Sequence, residues 1–144
     1  MAATANLNRF IVAQAKQWGG YELALREMNE GHKRSHWIWY IFPQIHGMGH
    51  SEPSKYYAIS SLEEARAYLE NETLGPRLRE ITRAVLSHRK DSIETIMGSQ
   101  IDAIKLRSSM TLFDLVSPDD VFSEVLEVFF DGERDSRTLR IVSH

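Results

Sequence analysis

The chain has 144 residues, a formal net charge of −3 and no cysteine. This length fits one domain, expected to span residues 1–144. Without cysteine the protein cannot form a disulfide, and any metal would need histidine and carboxylate ligands. The slight negative charge provides no general attraction for nucleic acid. Two short basic runs, residues 32–36 and 83–90, are interpreted as solvated faces, so no nucleic-acid partner is predicted.

The expected location of the chain is the cytoplasm. Its first eight residues lack the apolar core of a secretory signal, and no run approaches the ~18 to 20 apolar residues that a membrane helix needs. No membrane partner is therefore predicted. The oligomeric state stays open, with a monomer as the default.

Most of the chain has the apolar spacing of short helices, and the alternation typical of strands is almost absent. The first predicted helix has an apolar stripe over residues 7–18, with Asn6 as its N-cap and Gly19 at its end. The second covers residues 21–30 and stops at Gly31. The chain thus begins with two amphipathic helices.

Residues 37–42 are continuously apolar and end at Pro43. Spacing alone cannot distinguish a strand from a buried helix here, but Ser35 as a cap favours a short buried helix. Residues 44–54 contain two glycines and a proline and are predicted to form the longest loop of the chain. Long ordered loops are often functional.

Residues typical of helix starts divide the second half of the chain: Ser61 with Glu64, Pro76, Ser92, Ser117 with Pro118, and Asp135. The residues expected to face the core or mark its helices are Ala65, Tyr68, Leu69, Leu78, Ile81, Val85, Leu86, Ile101, Ile104, Ser108, Leu112, Val121, Phe122, Val125, Leu126 and Phe129. The predicted fold is all-α, a compact single-domain bundle of about seven to eight short helices with one long glycine-containing loop.

Two segments break the helical pattern in a way that packing does not require, and the first is residues 35–51. Trp39 and Phe42 are expected in the core, whereas Trp37 and Tyr40 are expected to be more open and able to stack on a base or sugar. Glycine N–H groups in the following loop could hold an anion, although the spacing matches neither a P-loop nor a dinucleotide fingerprint. The alternative is that the whole aromatic run is a core helix.

The second segment is residues 105–113. Asp102, Lys105 and Ser109 fall at i, i+3 and i+7, and so are expected to line one face, opposite Ile101 and Ile104. A lysine among hydroxyls could anchor a phosphate or carboxylate, or act as a nucleophile. The alternative is a surface ion pair between Asp102 and Lys105.

Four histidines form two pairs with four-residue spacing: His32 with His36, and His46 with His50. Such pairs can bind metal on a helix, but the second pair lies in the glycine loop and neither has a carboxylate motif. No metal or other cofactor is therefore predicted. A single His36 that hydrogen-bonds within the fold, or acts as an acid or base, is favoured instead.

Long motifs in these segments identify a family resemblance. The runs S-H-W-x-W-Y-I-F-P-Q, G-x-G-x-S and K-x-x-S-S-M-T-L-F, with further matches at residues 68–69, 74–78 and 135–139, resemble a bacterial family of small helical domains of unknown function. Members are sometimes labelled "calpastatin", a disordered inhibitor, which does not fit a chain with 42% hydrophobic residues. The resemblance implies a mainly α-helical domain and brings no catalytic residue. The motif positions are His36, Trp37, Gln44, Gly47, Gly49, Ser51, Lys105, Ser108, Ser109 and Thr111.

Three hypotheses for the function follow, and whether the protein is an enzyme stays open. The first is a pocket for a phosphorylated or nucleotide-like ligand, formed by the motif residues: Trp37 or Tyr40 stacks, the glycine loop and Lys105 hold the anion, and His36 is the acid or base. The second is a non-enzymatic protein-interaction module. The third is an ADP-ribose-directed N-glycoside hydrolase that uses Lys105 covalently.

Overall fold

The structure is a computed structural model that describes residues 7–143, and within that range the chain forms ten helices and no strand. The helices are α1 (Asn8–Gln14), α2 (Tyr21–Glu30), α3 (Ile38–Ile41), α4 (Glu52–Tyr56), α5 (Leu62–Glu70), α6 (Leu74–Leu86), α7 (Ile93–Met97), α8 (Gln100–Val116), α9 (Val121–Phe130) and α10 (Ser136–Val142). The all-α prediction is confirmed, with more helices than the seven or eight expected. None of these helices is long and apolar enough to cross a lipid bilayer.

The centre of the bundle is α8, which contacts α3, α5, α7, α9 and α10. All residues from 108 to 114 are buried, because neighbouring helices cover this part of α8 on every side. Two of the three hydroxyls there bond to the helix itself: Ser108 donates to the carbonyl of Ile104 and Thr111 to that of Arg107, whereas Ser109 does not. A helix surrounded in this way need not show an amphipathic stripe.

The predicted inward face is wrong in the first turns of α8. Ile101 and Ile104 are 66% and 52% exposed, whereas Ala103 and Leu106 are buried. Ile101, Ile104 and Ser108 have the spacing of one helix face, and for this reason the sequence favoured that face as the buried one. Two large apolar side chains, Ile101 and Ile104, therefore lie on the surface of α8.

Several helix ends are confirmed because their signals are local. Gly31 ends α2 in the left-handed conformation with φ of 82°. The side chains of Ser61, Ser92 and Asp135 accept backbone N–H groups at the starts of α5, α7 and α10. Capping chemistry of this kind involves only neighbouring residues.

Other boundaries differ from the prediction. Helix α1 ends at Gln14 rather than at Gly19, which leaves Trp18 79% exposed. Asp120, not Ser117, caps α9. Helix α4 begins inside the predicted loop, since Ser51 caps it and Pro53 is tolerated in a first turn that needs no N–H donor. The predicted N-cap of α1, Asn6, lies outside the described residues.

Candidate functional site

The two tryptophans beside α3 have opposite surroundings. Trp37 is completely buried and its Nε1 donates to Glu27 Oε1 at 2.9 Å. Trp39 is half-buried, and its Nε1 has no hydrogen-bond partner among the described residues. The expectation that Trp39 is core and Trp37 open is therefore wrong. Trp37 is the non-helical N-cap of α3 and Trp39 lies within the helix, and the sequence did not indicate which one faces inward.

Glu27 holds the turn that leads into α3. Its carboxylate accepts hydrogen bonds from the backbone N–H groups of Arg34 and Ser35, the Ser35 hydroxyl and the Trp37 indole. Burial acts to raise the pKa of Glu27, but these hydrogen bonds outweigh it and hold the pKa below its usual range. Ser35 therefore contributes by binding Glu27, and not as the predicted N-cap of α3.

An open cleft of about 520 Å³ lies on the other side of α3. We call it the aromatic cleft, and its lining residues are Lys16, His36, Trp39, Tyr40, Glu52, Pro53, Tyr56 and Tyr57. They come from α3 and α4, from the residues next to these two helices and, for Lys16, from the segment just after α1. The volume is within the range of small-molecule sites.

Packed aromatic rings form the wall of the aromatic cleft. The centroid of the Tyr57 ring lies 5.1 Å from that of Tyr40 and 4.8 Å from that of Tyr56. Contrary to the expectation that it is open, Tyr40 is buried, and its hydroxyl donates to the carbonyl of Gly19. Tyr56 in contrast is 62% exposed. The cleft thus combines a fixed aromatic wall with one accessible ring.

Two lysines lie over rings of the cleft. Lys16 Nζ lies 5.5 Å from the centroid of Tyr40, and Lys105 Nζ lies 5.5 Å from that of Trp39. The acidic residue of the lining, Glu52, is highly exposed and stands 3.9 Å from Lys55 Nζ. The local charge therefore favours an anionic ligand.

A smaller polar pocket of about 180 Å³ adjoins the cleft at His36, which lines both. Its floor holds Lys33, whose side chain is 5% exposed and binds Asp102 Oδ2 at 2.7 Å and the carbonyl of Ser35 at 2.6 Å. Asp102 also lies 3.8 Å from Lys105 Nζ, which confirms the ion pair considered from the sequence. The two segments singled out in the sequence, residues 35–51 and 105–113, therefore lie side by side. The contact of Lys105 with the Trp39 ring connects them, and the ion pair of Lys33 with Asp102 connects the residues just before them.

The glycine loop faces elsewhere. The carbonyl of Gly47 accepts a hydrogen bond from Arg137 of α10 at 3.3 Å, and Met48 lies beside Thr138. The residues next to the loop line another cavity of about 400 Å³, between Ile45 and the end of α10. The predicted partnership of the glycine loop with Lys105 is not found, because Gly47 contacts α10 whereas Lys105 pairs with Asp102 and lies over Trp39.

The remaining predicted ligand-binding residues have structural contacts. Gln44 accepts the N–H of Ile59 through its backbone carbonyl, and Ser51 caps α4. Thr111 accepts the N–H of Asp135 at 2.9 Å, which connects α8 to the start of α10. Ser109 is fully buried and its Oγ has no partner among the described residues. A covalent role for Lys105 and an acid–base role for the exposed His36 stay predictions.

Sequence reasoning missed six of the eight lining residues of the aromatic cleft: Lys16, Trp39, Glu52, Pro53, Tyr56 and Tyr57. The adjacent tyrosines after Pro53 were an available signal, since paired aromatics next to a loop often line binding surfaces. Lys16 had no local signal because it reaches the cleft from the end of α1. Among residues 7–143, no three histidine, aspartate or glutamate side chains are grouped so that they could hold a metal ion.

The family model described as "Protein of unknown function (DUF1810)" matches residues 4–142. The chain belongs to the DUF1810 family. It is also similar to the conserved hypothetical protein Rv1873 from Mycobacterium tuberculosis, whose crystal structure was determined at 1.38 Å. The two chains are 42% identical, with coverage of 96% of this chain and 97% of the other and a TM-score of 0.90. No curated protein matches.

These comparisons confirm the family resemblance and the helical fold. The description of the family and that of the mycobacterial protein name no activity, substrate or partner. The function of this DUF1810 chain therefore has to be inferred from its surface chemistry.

Proposed function

We propose that this DUF1810 protein binds a small, flat, anionic ligand of the nucleotide-like class in the aromatic cleft. The observation that carries the proposal is one cavity of suitable volume that combines an aromatic wall, the accessible ring of Tyr56 and the ammonium of Lys16, with Lys105 over the ring of Trp39. Exposed apolar patches often mark ligand-binding grooves, and flat rings stack well on aromatic side chains.

Each group of the cleft has a role in this proposal. The ligand ring stacks on Tyr56 and the open face of Trp39. Lys16 binds the anionic group, since it forms no ion pair with any described residue and its ammonium lies over the cleft wall. His36, at the junction with the polar pocket, is positioned to contact a polar extension of the ligand.

A thermal-shift screen tests the proposal with AMP, ADP-ribose, sugar phosphates and inorganic phosphate. A ligand present at about 100 times its Kd stabilises the fold by about 2.7 kcal/mol, which raises the Tm by roughly 5 to 10 °C. We expect Tyr56→Ala to remove the shift and Lys16→Ala to reduce it. Lys90→Ala, an exposed lysine outside the cleft, is the matched control and should leave the shift intact. A screen in which no compound raises the Tm contradicts the proposal.

A second candidate function is a protein-interaction module, and the exposed pair Ile101 and Ile104 on α8 favours it. Clustered apolar side chains on a surface often mark a partner site. The test compares partner retention by the wild type, by Ile101→Glu with Ile104→Glu, and by Tyr56→Ala. A partner lost from the double variant alone would support an interaction surface separate from the aromatic cleft, and equal retention by all three would exclude it.

A further inference from the structure

Two buried side-chain atoms of the described residues lack a hydrogen-bond partner: Trp39 Nε1 and Ser109 Oγ. Most buried polar atoms in folded proteins are paired, so each exception calls for an explanation. Their neighbours in sequence are paired, since Trp37 donates to Glu27 and Ser108 to the carbonyl of Ile104. The unpaired state is therefore specific to these two positions.

The two atoms belong to one region, the contact between α3 and α8. Trp39 lies on α3 with Lys105 of α8 over its ring, and Ser109 is one helical turn after Lys105. Side chains at i and i+4 share a face of a helix, and each leans towards the helix N-terminus. Ser109 thus shares the face of α8 that carries Lys105, the residue that lies over the Trp39 wall of the aromatic cleft.

The chemistry of this region is dominated by donors. An indole N–H and an ammonium can only donate, and a hydroxyl can donate while keeping its lone pairs free. Asp102 is the nearby acceptor on α8, but it is already bound by Lys33 and Lys105. The complement to such a group of donors is an oxygen atom that carries negative charge.

We infer that the α3–α8 contact is an inner subsite for an oxyanion of the cleft ligand, a phosphate or carboxylate oxygen that accepts hydrogen bonds from Trp39 Nε1 and Ser109 Oγ beside Lys105. This inference rests on the proposed function and specifies its ligand as a ring with an anionic group close to it. The Trp39 N–H is available to a ligand because it has no partner among the described residues, unlike that of Trp37.

Ser109→Ala tests the subsite, with Ser108→Ala as its matched control. Both changes remove one buried hydroxyl from α8, so the gain in helix propensity is common to both and cancels in the comparison. Because only Ser108 Oγ is hydrogen-bonded, we expect Ser109→Ala to have a Tm at or above that of the wild type and above that of Ser108→Ala.

Binding is measured by calorimetry with two matched pairs of probes: AMP with adenosine, and nicotinate with nicotinamide. Ser109→Ala should weaken the binding of the anionic probes at least tenfold and leave that of the neutral probes unchanged. Trp39→Phe, which keeps a ring but loses the N–H, should act in the same direction. Ser108→Ala should bind all four probes like the wild type. The stronger of the two anions shows whether phosphate or carboxylate is preferred.

Three results would overturn the subsite. A Tm of Ser109→Ala below that of Ser108→Ala would mean that the hydroxyl has an interior partner which holds the fold. If Ser109→Ala binds both anions like the wild type and Tyr56→Ala does not bind them, the aromatic cleft is the ligand site but the subsite is excluded. If neither anion binds the wild type, the proposed function and the subsite fail together.

Discussion

The turn around Trp37 and the cleft beside Trp39 are two residues apart in sequence and differ in almost every physical respect. Around Trp37 the donors are paired with Glu27, and Lys33 packs 4.9 Å from the centroid of the indole. Around Trp39 the N–H is unpaired and Tyr56 is exposed. The turn before α3 is thus built for stability, and the Trp39 side of α3 has the incomplete pairing that is expected at functional sites.

The comparison also explains why so short a helix is held firmly. Helices of one turn are not stable alone, so α3 depends on tertiary contacts. Glu27 supplies them on the Trp37 side through four hydrogen bonds. The rigid turn around Trp37 can then position Trp39 at the cleft, although the Trp39 N–H forms no hydrogen bond among the described residues.

The largest expected effect is that of Glu27→Ala. The change leaves two backbone N–H groups and the Trp37 indole without their acceptor, and we expect it to lower the free energy of unfolding by about 3 to 4 kcal/mol. Urea unfolding measures this loss. Glu30→Ala, which removes an exposed partner of Arg34 from the same helix, should cost less than about 1 kcal/mol. Equal losses in the two variants would contradict the central role of Glu27.

A smaller effect separates the two tryptophans directly. Trp37→Phe removes a paired N–H and leaves space in a closed core, so we expect a loss of about 2 to 3 kcal/mol. Trp39→Phe removes an unpaired N–H from a half-buried ring and should cost less than about 1 kcal/mol. Urea unfolding of both variants under one set of conditions makes the comparison. A larger loss for Trp39→Phe would reverse the assignment of the two sides.

The smallest effect is a pH dependence. Because the pKa of Glu27 is lowered in the folded protein, its stabilising contribution is present above the unfolded pKa of about 4.3 and is lost as pH falls through the folded pKa. Urea unfolding from pH 7 to pH 3 should therefore show falling stability at the acidic end. Glu27→Gln should flatten this decline. Part of the decline should persist in Glu27→Gln, because the pKa of Asp120 is also lowered. Burial acts to raise the pKa of Asp120, but its hydrogen bonds and the charge of Arg79 outweigh this effect. A decline of the same steepness in Glu27→Gln would exclude Glu27 as its source.

The sequence predicted those parts of the fold that depend on neighbouring residues. The end of α2 at Gly31 and the caps at Ser61, Ser92 and Asp135 are examples, because each needs only local chemistry. Helix α4 was missed because glycine and proline indicated a loop, although Pro53 occupies a first turn where proline fits.

The orientation of whole helices could not be predicted in the same way. Which of Trp37 and Trp39 faces inward depends on where Glu27 lies in space, and the exposure of Ile101 depends on what covers the start of α8. The aromatic cleft combines Lys16 from the end of α1 with Tyr56 from α4, about 40 residues apart in sequence. Lys105 was singled out correctly as a neighbour of the aromatic run, but its partner is Trp39 and not the glycine loop.

The indole N–H signals of a ¹⁵N-labelled sample test the account most directly, because the chain has three tryptophans. Trp18→Phe and Trp39→Phe assign them, and AMP is then titrated into the wild type. The account predicts that the Trp39 signal moves with AMP while the Trp37 signal, held by Glu27, stays in place. Binding of AMP that shifts the Trp37 signal, or that leaves the Trp39 signal unmoved, would contradict it.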